Sequence, residues 1–175
     1  MLRVVQSVHQ CREQRTRCSL CVLFSWNVKN KFVLEISVQS VDAALAAERG
    51  GANRIELCQS LELGGTTPRA ELMRAVREQV RLPIFVMIRP REGNFLYTDG
   101  EIRQMKRAIE AAKDAEMDGV VLGVLKEDRR VDIERTRELV EFARPLPTTY
   151  HRAFDECADL RDELEAVIET GRSES

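Results

Sequence analysis

Two segments near the start of the chain alternate strictly between apolar and polar residues. In the first, residues 32–38, three aliphatic side chains point one way while Glu35 and Ser37 point the other. In the second, residues 54–58, a cation, a carboxylate and a thiol share the polar side: Arg54, Glu56 and Cys58. Alternation with a period of two is typical of a β-strand. Each segment therefore predicts a strand with one apolar face and one unusually polar face.

The same plan of strand, loop and helix continues along the chain. Further strands are predicted at the apolar runs 83–88 and 119–125, and at residues 148–153. Gly64-Gly65 predicts a sharp turn after the second strand, with Thr67 as N-cap and Pro68 as the first residue of the next helix. The other predicted helices are residues 41–49, the one opened by a capping box at residues 98–101, the one capped by Asp132, and residues 160–171.

Strands that alternate with helices predict parallel βαβ units with right-handed crossovers, which fit a doubly wound sheet or a (β/α)8 barrel. The residues after the first strand, V-Q-S-V-D, lack the glycine-rich phosphate loop common in doubly wound folds. Polar residues fall late in the strands, where barrel enzymes place their chemistry. These residues are Glu35, Ser37, Glu56, Cys58, Arg89 and His151. We therefore predict an α/β fold of the (β/α)8 TIM-barrel type, incomplete, with about five βα units.

Composition narrows the class of protein and of partner. The chain has 175 residues, 43% of them hydrophobic, which is enough for a globular core. A net charge of -2 gives no basic field, so nucleic acid is not expected as a partner. No stretch approaches the roughly 20 apolar residues of a membrane helix, so no membrane partner is expected. Five cysteines without framework spacing favour a reducing compartment.

The first 31 residues differ in composition from the rest. Their charged residues are basic except for Glu13, and they include the pair Cys18 and Cys21. Two thiols at this spacing could form half of a zinc site, but no second ligand pair follows. The favoured interpretation is a divergent, disordered leader at residues 1–31, followed by a partial barrel domain at residues 32–175.

Five motifs, taken together in this order and spacing, resemble the CutC family of copper homeostasis proteins. They are R-I-E-L-C, L-G-G-T-T-P, F-V-M-I-R-P-R, F-L-Y-T-D and H-R-A-F-D, and the resemblance covers roughly residues 33–171. It implies a (β/α)8 barrel, a role in handling Cu(I), no established reaction, and a cytoplasmic location, with a nuclear one also open.

The chain departs from the family pattern at three places. Copper-binding members resemble E-V-C-V in the first strand, and Ser37 stands where that cysteine would be. In the loop R-P-R-E-G-N-F, Glu92 replaces a glycine and Asn94 an aspartate. Residues 32–175 are also far fewer than the roughly 250 of an eight-unit barrel. We therefore expect a fragment, a truncated isoform or an imperfect gene model.

Three functional hypotheses follow from these residues. In the first, a copper ion, Cu(I), is the partner, held by the thiolate of Cys58 at the carboxyl-terminal mouth of the barrel, with Cys157 as a second metal-binding thiol. In the second, the barrel is an enzyme for a small anionic metabolite. The expected catalytic residues are then Glu35 and Glu56 as acid-base pair, His151, and Arg89, which with Arg91 would bind the anionic ligand.

A salt-bridge network of the two glutamates with Arg54 and Arg89 is an equally weighted alternative to the acid-base pair. The third hypothesis is an inactive truncated isoform that survives by pairing with itself, as a homo-oligomer, or with a full-length copy.

Overall fold

The strands of the molecule form one sheet. The computed structural model describes residues 2–5 and 33–171. In them the sheet has six strands, in the order β1 to β6. Their bounds are β1 Leu2–Val5, β2 Val33–Val38, β3 Arg54–Leu57, β4 Ile84–Met87, β5 Gly119–Leu122 and β6 Thr148–Tyr150.

Strands β2 to β6 are all parallel, and each pairs with the next strand along the chain. A doubly wound sheet reverses its strand order at a switch point, whereas a (β/α)8 barrel adds strands in sequence. The predicted fold class is therefore confirmed: five parallel strands with alternating helices form a half-barrel.

The sixth strand is an addition to the five that the sequence predicted. β1 pairs antiparallel with β2, with Leu2 opposite Ile36 and Val5 opposite Val33. It gives β2 a hydrogen-bonded neighbour on the side where the five-stranded arc would have an open edge. Residues 6–32 lie outside the described residues, as does the Cys18 and Cys21 pair, so the division at residue 31 stays a prediction.

One helix follows each parallel strand. The helices are α1 Val41–Arg49, α2 Ala70–Gln79, α3 Asp99–Asp114, α4 Ile133–Ala143 and α5 Leu160–Thr170. The predicted capping box of α3 is confirmed: Thr98 Oγ1 accepts from the Glu101 N–H, and the Glu101 carboxylate accepts from the Thr98 N–H. Within residues 2–5 and 33–171, no helix combines the length and apolar character needed to cross a bilayer.

Helix α2 begins later than the sequence predicted. Arg69 is its N-cap and Ala70 its first residue, whereas the sequence placed these roles at Thr67 and Pro68. The reason is a tertiary contact. The Thr67 N–H donates to the Arg89 carbonyl at 2.9 Å, and Thr67 Oγ1 accepts from the Arg89 N–H at 2.8 Å. Thr67 therefore joins the loop to β4 instead of capping the helix.

The sheet separates a large apolar core from a smaller inner face. Ile55 and Leu57 form the predicted apolar face of β3. Both are fully buried in the core between sheet and helices. The apolar stripe of α3, formed by Ile102, Met105, Ile109 and Ala112, is buried there too. The opposite side, which we call the inner face, carries a separate buried cluster of Cys58, Phe85, Met87 and Val121. The alternation read from β3 is therefore confirmed.

Candidate functional site

The inner face of the sheet brings the polar residues of β2 and β3 together. In the parallel register Glu35 lies beside Arg54, and Ser37 lies beside Glu56. Cys58 follows directly after β3, and its N–H donates to the Val38 carbonyl at 2.9 Å, so the pairing continues one residue further. Because side chains alternate along a strand, these five share one face of the sheet.

Glu35 and Arg54 form a buried ion pair. Arg54 Nε donates to Glu35 Oε2, and the Glu35 side chain is only 2% exposed. The Arg54 guanidinium also lies over the Phe85 ring, 4.1 Å from its centroid. A buried carboxylate needs such a partner, because an isolated charge away from water is costly. The Glu35–Arg54 pair fits the salt-bridge network predicted as an alternative to the acid-base pair. Arg89, which that network also included, is not part of this pair.

Glu56 has a different partner from Glu35. Ser37 Oγ donates to Glu56 Oε2 at 2.6 Å. The two predicted acid-base carboxylates therefore lie on adjacent strands of one face, each with its own hydrogen-bonding neighbour.

Cys58 is completely buried among apolar side chains of the inner face. Its thiol lies 3.9 Å from the Glu56 carbonyl oxygen, in donor geometry. Gly65 lies against it, since a Cβ at that position would be 3.3 Å from Cys58 Sγ. The thiol thus lies at the carboxyl end of β3 and is covered by the loop that follows.

Arg89 is a buried residue that ties two loops to the end of β4. Its Nη1 donates to the carbonyls of Gly64 and Gly65, both at 3.2 Å, and its Nη2 donates to the Gly93 carbonyl at 2.8 Å. The guanidinium lies over the Phe95 ring, 4.7 Å from the centroid. The terminal nitrogens of Arg89, which the sequence predicted to bind an anionic ligand, therefore donate to backbone carbonyls instead.

His151 lies just beyond β6 and also contacts Phe95. The two ring centroids are 4.9 Å apart, and His151 Nδ1 accepts from the Ala153 N–H at 3.2 Å. Gly123 makes room for the imidazole, because a Cβ there would lie 2.7 Å from His151 Nδ1. Phe95 therefore links Arg89 and His151 at the carboxyl ends of β4 and β6.

Arg91 is held by its own loop and by α3. Its Nε donates to Glu101 Oε1 at 2.5 Å, and its Nη2 donates to the Leu96 carbonyl at 2.6 Å. Asn94 Oδ1, where the family pattern has an aspartate, also accepts from Arg91 at 3.1 Å. The backbone hydrogen bond from Thr98, assisted by Arg91, lowers the pKa of Glu101. The structure thus gives Arg91 a role in ordering the loop.

Cys157 lies away from Cys58, in the main core and not in the inner-face cluster. Its thiol points to the Ala153 carbonyl at 3.7 Å. Burial raises the pKa of this thiol, and the nearby Glu163 carboxylate adds to the shift. The structure therefore does not place the two thiols in one cluster. Within residues 2–5 and 33–171, no group of three or more His, Cys, Asp or Glu side chains is placed to hold a metal ion.

The sequence analysis missed several residues that shape this site. Phe85 and Met87 lie on the inner face, although the run P-I-F-V-M-I indicated only a strand buried on both sides. The signal was present, since alternation from Arg89 backwards places both of them on its face. Phe95, which contacts Arg89 and His151, is not among the site residues predicted from the sequence.

The sequence matches curated relatives over most of its length. The curated copper homeostasis protein cutC homologs of human and mouse are each 49% identical over 142 residues, which is 81% of this chain and 52% of theirs. The chain thus spans about half the length of the curated relatives it matches.

Two solved structures share the architecture. The putative copper homeostasis protein CutC from Streptococcus agalactiae superposes with a TM-score of 0.73 at 31% identity, covering 79% of this chain and 69% of that one. A putative phosphonomutase from Burkholderia cenocepacia, 16% identical, reaches 0.55 over 79% of this chain and 65% of that one, and shows the fold alone. The sequence model described as the CutC family matches residues 32–174, and the chain therefore belongs to the CutC family.

Proposed function

We propose that this protein acts in copper homeostasis by binding Cu(I) on the inner face, with the thiolate of Cys58 in contact with the ion. The relatives at 49% identity are named copper homeostasis proteins. The observation that carries the proposal is the position of Cys58, a thiol at the carboxyl end of β3 on the inner face. Ligands of barrel proteins bind at that end of the strands.

The chemistry of the thiol suits a soft ion. Cu(I) prefers thiolate and thioether sulfur to oxygen, and binding displaces the thiol proton. Ser37, beside Glu56, offers a hard hydroxyl that already donates to the carboxylate. A reducing compartment keeps both the free thiol and Cu(I) reduced, so we place the protein in the cytoplasm, with the nucleus as a further reducing location.

An anaerobic titration against a chromophoric Cu(I) chelator tests this proposal. The full chain should compete for one Cu(I), and Cys58→Ala should lose at least about tenfold in affinity, which corresponds to about 1.4 kcal/mol. Cys157→Ala is the matched control, because that thiol is buried in the main core and should leave the affinity unchanged. Wild-type affinity in Cys58→Ala would overturn the proposal.

A barrel enzyme acting on a small anionic metabolite is the second candidate. It is favoured by Glu35 and Glu56 on adjacent strands, with Arg89 and His151 beyond the ends of their strands. A metabolite that binds the folded state raises its melting temperature even after copper is stripped. A thermal-shift screen of small carboxylates and phosphates on the stripped chain, with Glu56→Gln as the comparison, separates this candidate from copper binding.

The remaining partners stay predictions. We expect no binding to nucleic acid or to membranes, and sedimentation velocity over a range of concentrations tests for a homo-oligomer.

A further inference from the structure

A second sulfur lies beside Cys58 on the inner face. The β3–β4 register pairs Leu57 with Val86, and its next step sets Cys58 beside Met87. Both side chains belong to the same small buried cluster, which is separate from the main core. Cys58 is 0% exposed and Met87 3%, so water is nearly excluded from both. The Cys58 thiol and the Met87 thioether side chain therefore belong to one buried cluster at the carboxyl ends of neighbouring strands.

The loop after β3 leaves space where the two side chains meet. Gly65 has φ +82, and a Cβ there would lie 3.3 Å from Cys58 Sγ and 3.7 Å from the terminal methyl Cε of Met87. Cys58 Sγ and Met87 Cε therefore both lie close to the position that a Cβ of residue 65 would occupy. Any larger residue would also be strained at this positive φ.

The donor set that results fits a soft monovalent ion. Thiolate and thioether sulfur select Cu(I), whereas hydroxyl and carboxylate oxygen do not. The other sulfur considered from the sequence, Cys157, lies in the main core. Apolar neighbours such as Phe85 and Val121 would limit solvent access to an ion held between the two sulfurs.

We propose that the Met87 thioether would serve, with the Cys58 thiolate, as the second sulfur ligand of Cu(I). This inference rests on the proposed function, since it names a further group of the same site. The competing explanation is that Met87 only fills the inner-face cluster, as methionine often does in protein cores.

Selenomethionine labelling tests the contact directly on the full chain. With Cu(I) loaded anaerobically, X-ray absorption at the selenium edge should show copper as a near neighbour of selenium. The chain has five methionines, so labelled Met87→Leu and labelled Met73→Leu identify the source. The copper neighbour should vanish in the first and persist in the second, because Met73 is buried in the main core.

Chelator competition supplies an independent measurement. Met87→Leu should weaken Cu(I) binding about tenfold, while Met73→Leu should not, and both swaps nearly conserve side-chain volume. The outcomes separate the two proposals. If Cys58→Ala binds Cu(I) like wild type, the proposed function fails. If Cys58→Ala loses affinity but Met87→Leu does not, and selenium shows no copper neighbour, only the role of Met87 is overturned.

Discussion

Ser37 Oγ donates a 2.6 Å hydrogen bond to Glu56 Oε2 across the β2–β3 pair. Copper-binding members of the family resemble E-V-C-V in this strand, with a cysteine at the position that Ser37 occupies here. In this chain the hydroxyl therefore serves the buried carboxylate and adds no sulfur to the inner face. Removing one partner of a buried hydrogen bond costs about 1–3 kcal/mol, so the exchange has consequences for stability as well as for metal binding.

Ser37→Cys should restore a second thiolate to the inner face and raise Cu(I) affinity by at least about tenfold. Chelator competition under anaerobic conditions measures the change. Ser37→Ala is the control, because it removes the hydrogen bond without adding sulfur. It should lower the free energy of unfolding by about 2 kcal/mol and leave copper affinity unchanged. Equal copper affinities for the two variants would contradict this prediction.

The buried pair of Glu35 and Arg54 should dominate the stability of the inner face. Glu35→Gln leaves the guanidinium without its charged partner, and breaking a buried pair in this way costs about 3–5 kcal/mol. Urea unfolding measures the loss. In a double-mutant cycle, adding Arg54→Met should cost little more, because the pair is already broken.

An exposed ion pair provides the comparison for that cycle. Lys106 Nζ lies 2.6 Å from Glu138 Oε1, with the glutamate side chain 50% exposed. Glu138→Gln should cost less than about 1 kcal/mol, because water and salt screen exposed charges. A loss in Glu35→Gln as small as that in Glu138→Gln would show that the buried pair adds little.

Local signals in the sequence predicted the elements well where local interactions decide them. The capping box at Thr98 and the stripe of Ile102, Met105, Ile109 and Ala112 predicted α3 closely, because both lie within one helix. The start of α2 was wrong, because Thr67 is taken by Arg89, a residue 22 positions away. No local pattern reports such a contact.

The same contrast between local signals and tertiary contacts applies to the candidate functional site. Alternation predicted which residues of β3 face inward, since that property belongs to one strand. Which carboxylate meets which partner depends on the register between strands, and the sequence left an acid-base pair and a salt-bridge network equally open. Arg89 and Arg91 read alike in R-P-R, yet one is buried under loop carbonyls and the other binds Glu101.

Tyr97 should make stability fall at alkaline pH. Burial raises its pKa from 10.0 to about 12, although Arg89 and Arg91 act in the opposite direction. A raised pKa means that the folded state holds its proton more tightly than the unfolded chain. The stabilisation is complete below pH 10 and is lost as the pH rises towards about 12.

Absorbance titration of tyrosinate measures this effect. Tyr150, the other tyrosine of the chain, is partly buried, and desolvation raises its pKa in the same direction. Tyr97→Phe should reduce the decline in unfolding free energy between pH 10 and 12. Ionisation of both tyrosines near pH 10 in the folded protein would contradict the assignment.

Gly119 should tolerate no side chain, because the Phe85 ring occupies the space above it. A Cβ there would lie 2.5 Å from Phe85 Cζ, and the Arg54 guanidinium packs over the same ring, 4.1 Å from its centroid. Gly119→Ala should therefore destabilise the fold by about 1–3 kcal/mol in urea unfolding, as overpacking does. Gly100→Ala, in the open first turn of α3, should be neutral or slightly stabilising. Adding Phe85→Leu to Gly119→Ala should cost less than the two single losses together, since the smaller side chain relieves the clash. Strict additivity would show that the ring does not set the requirement for glycine.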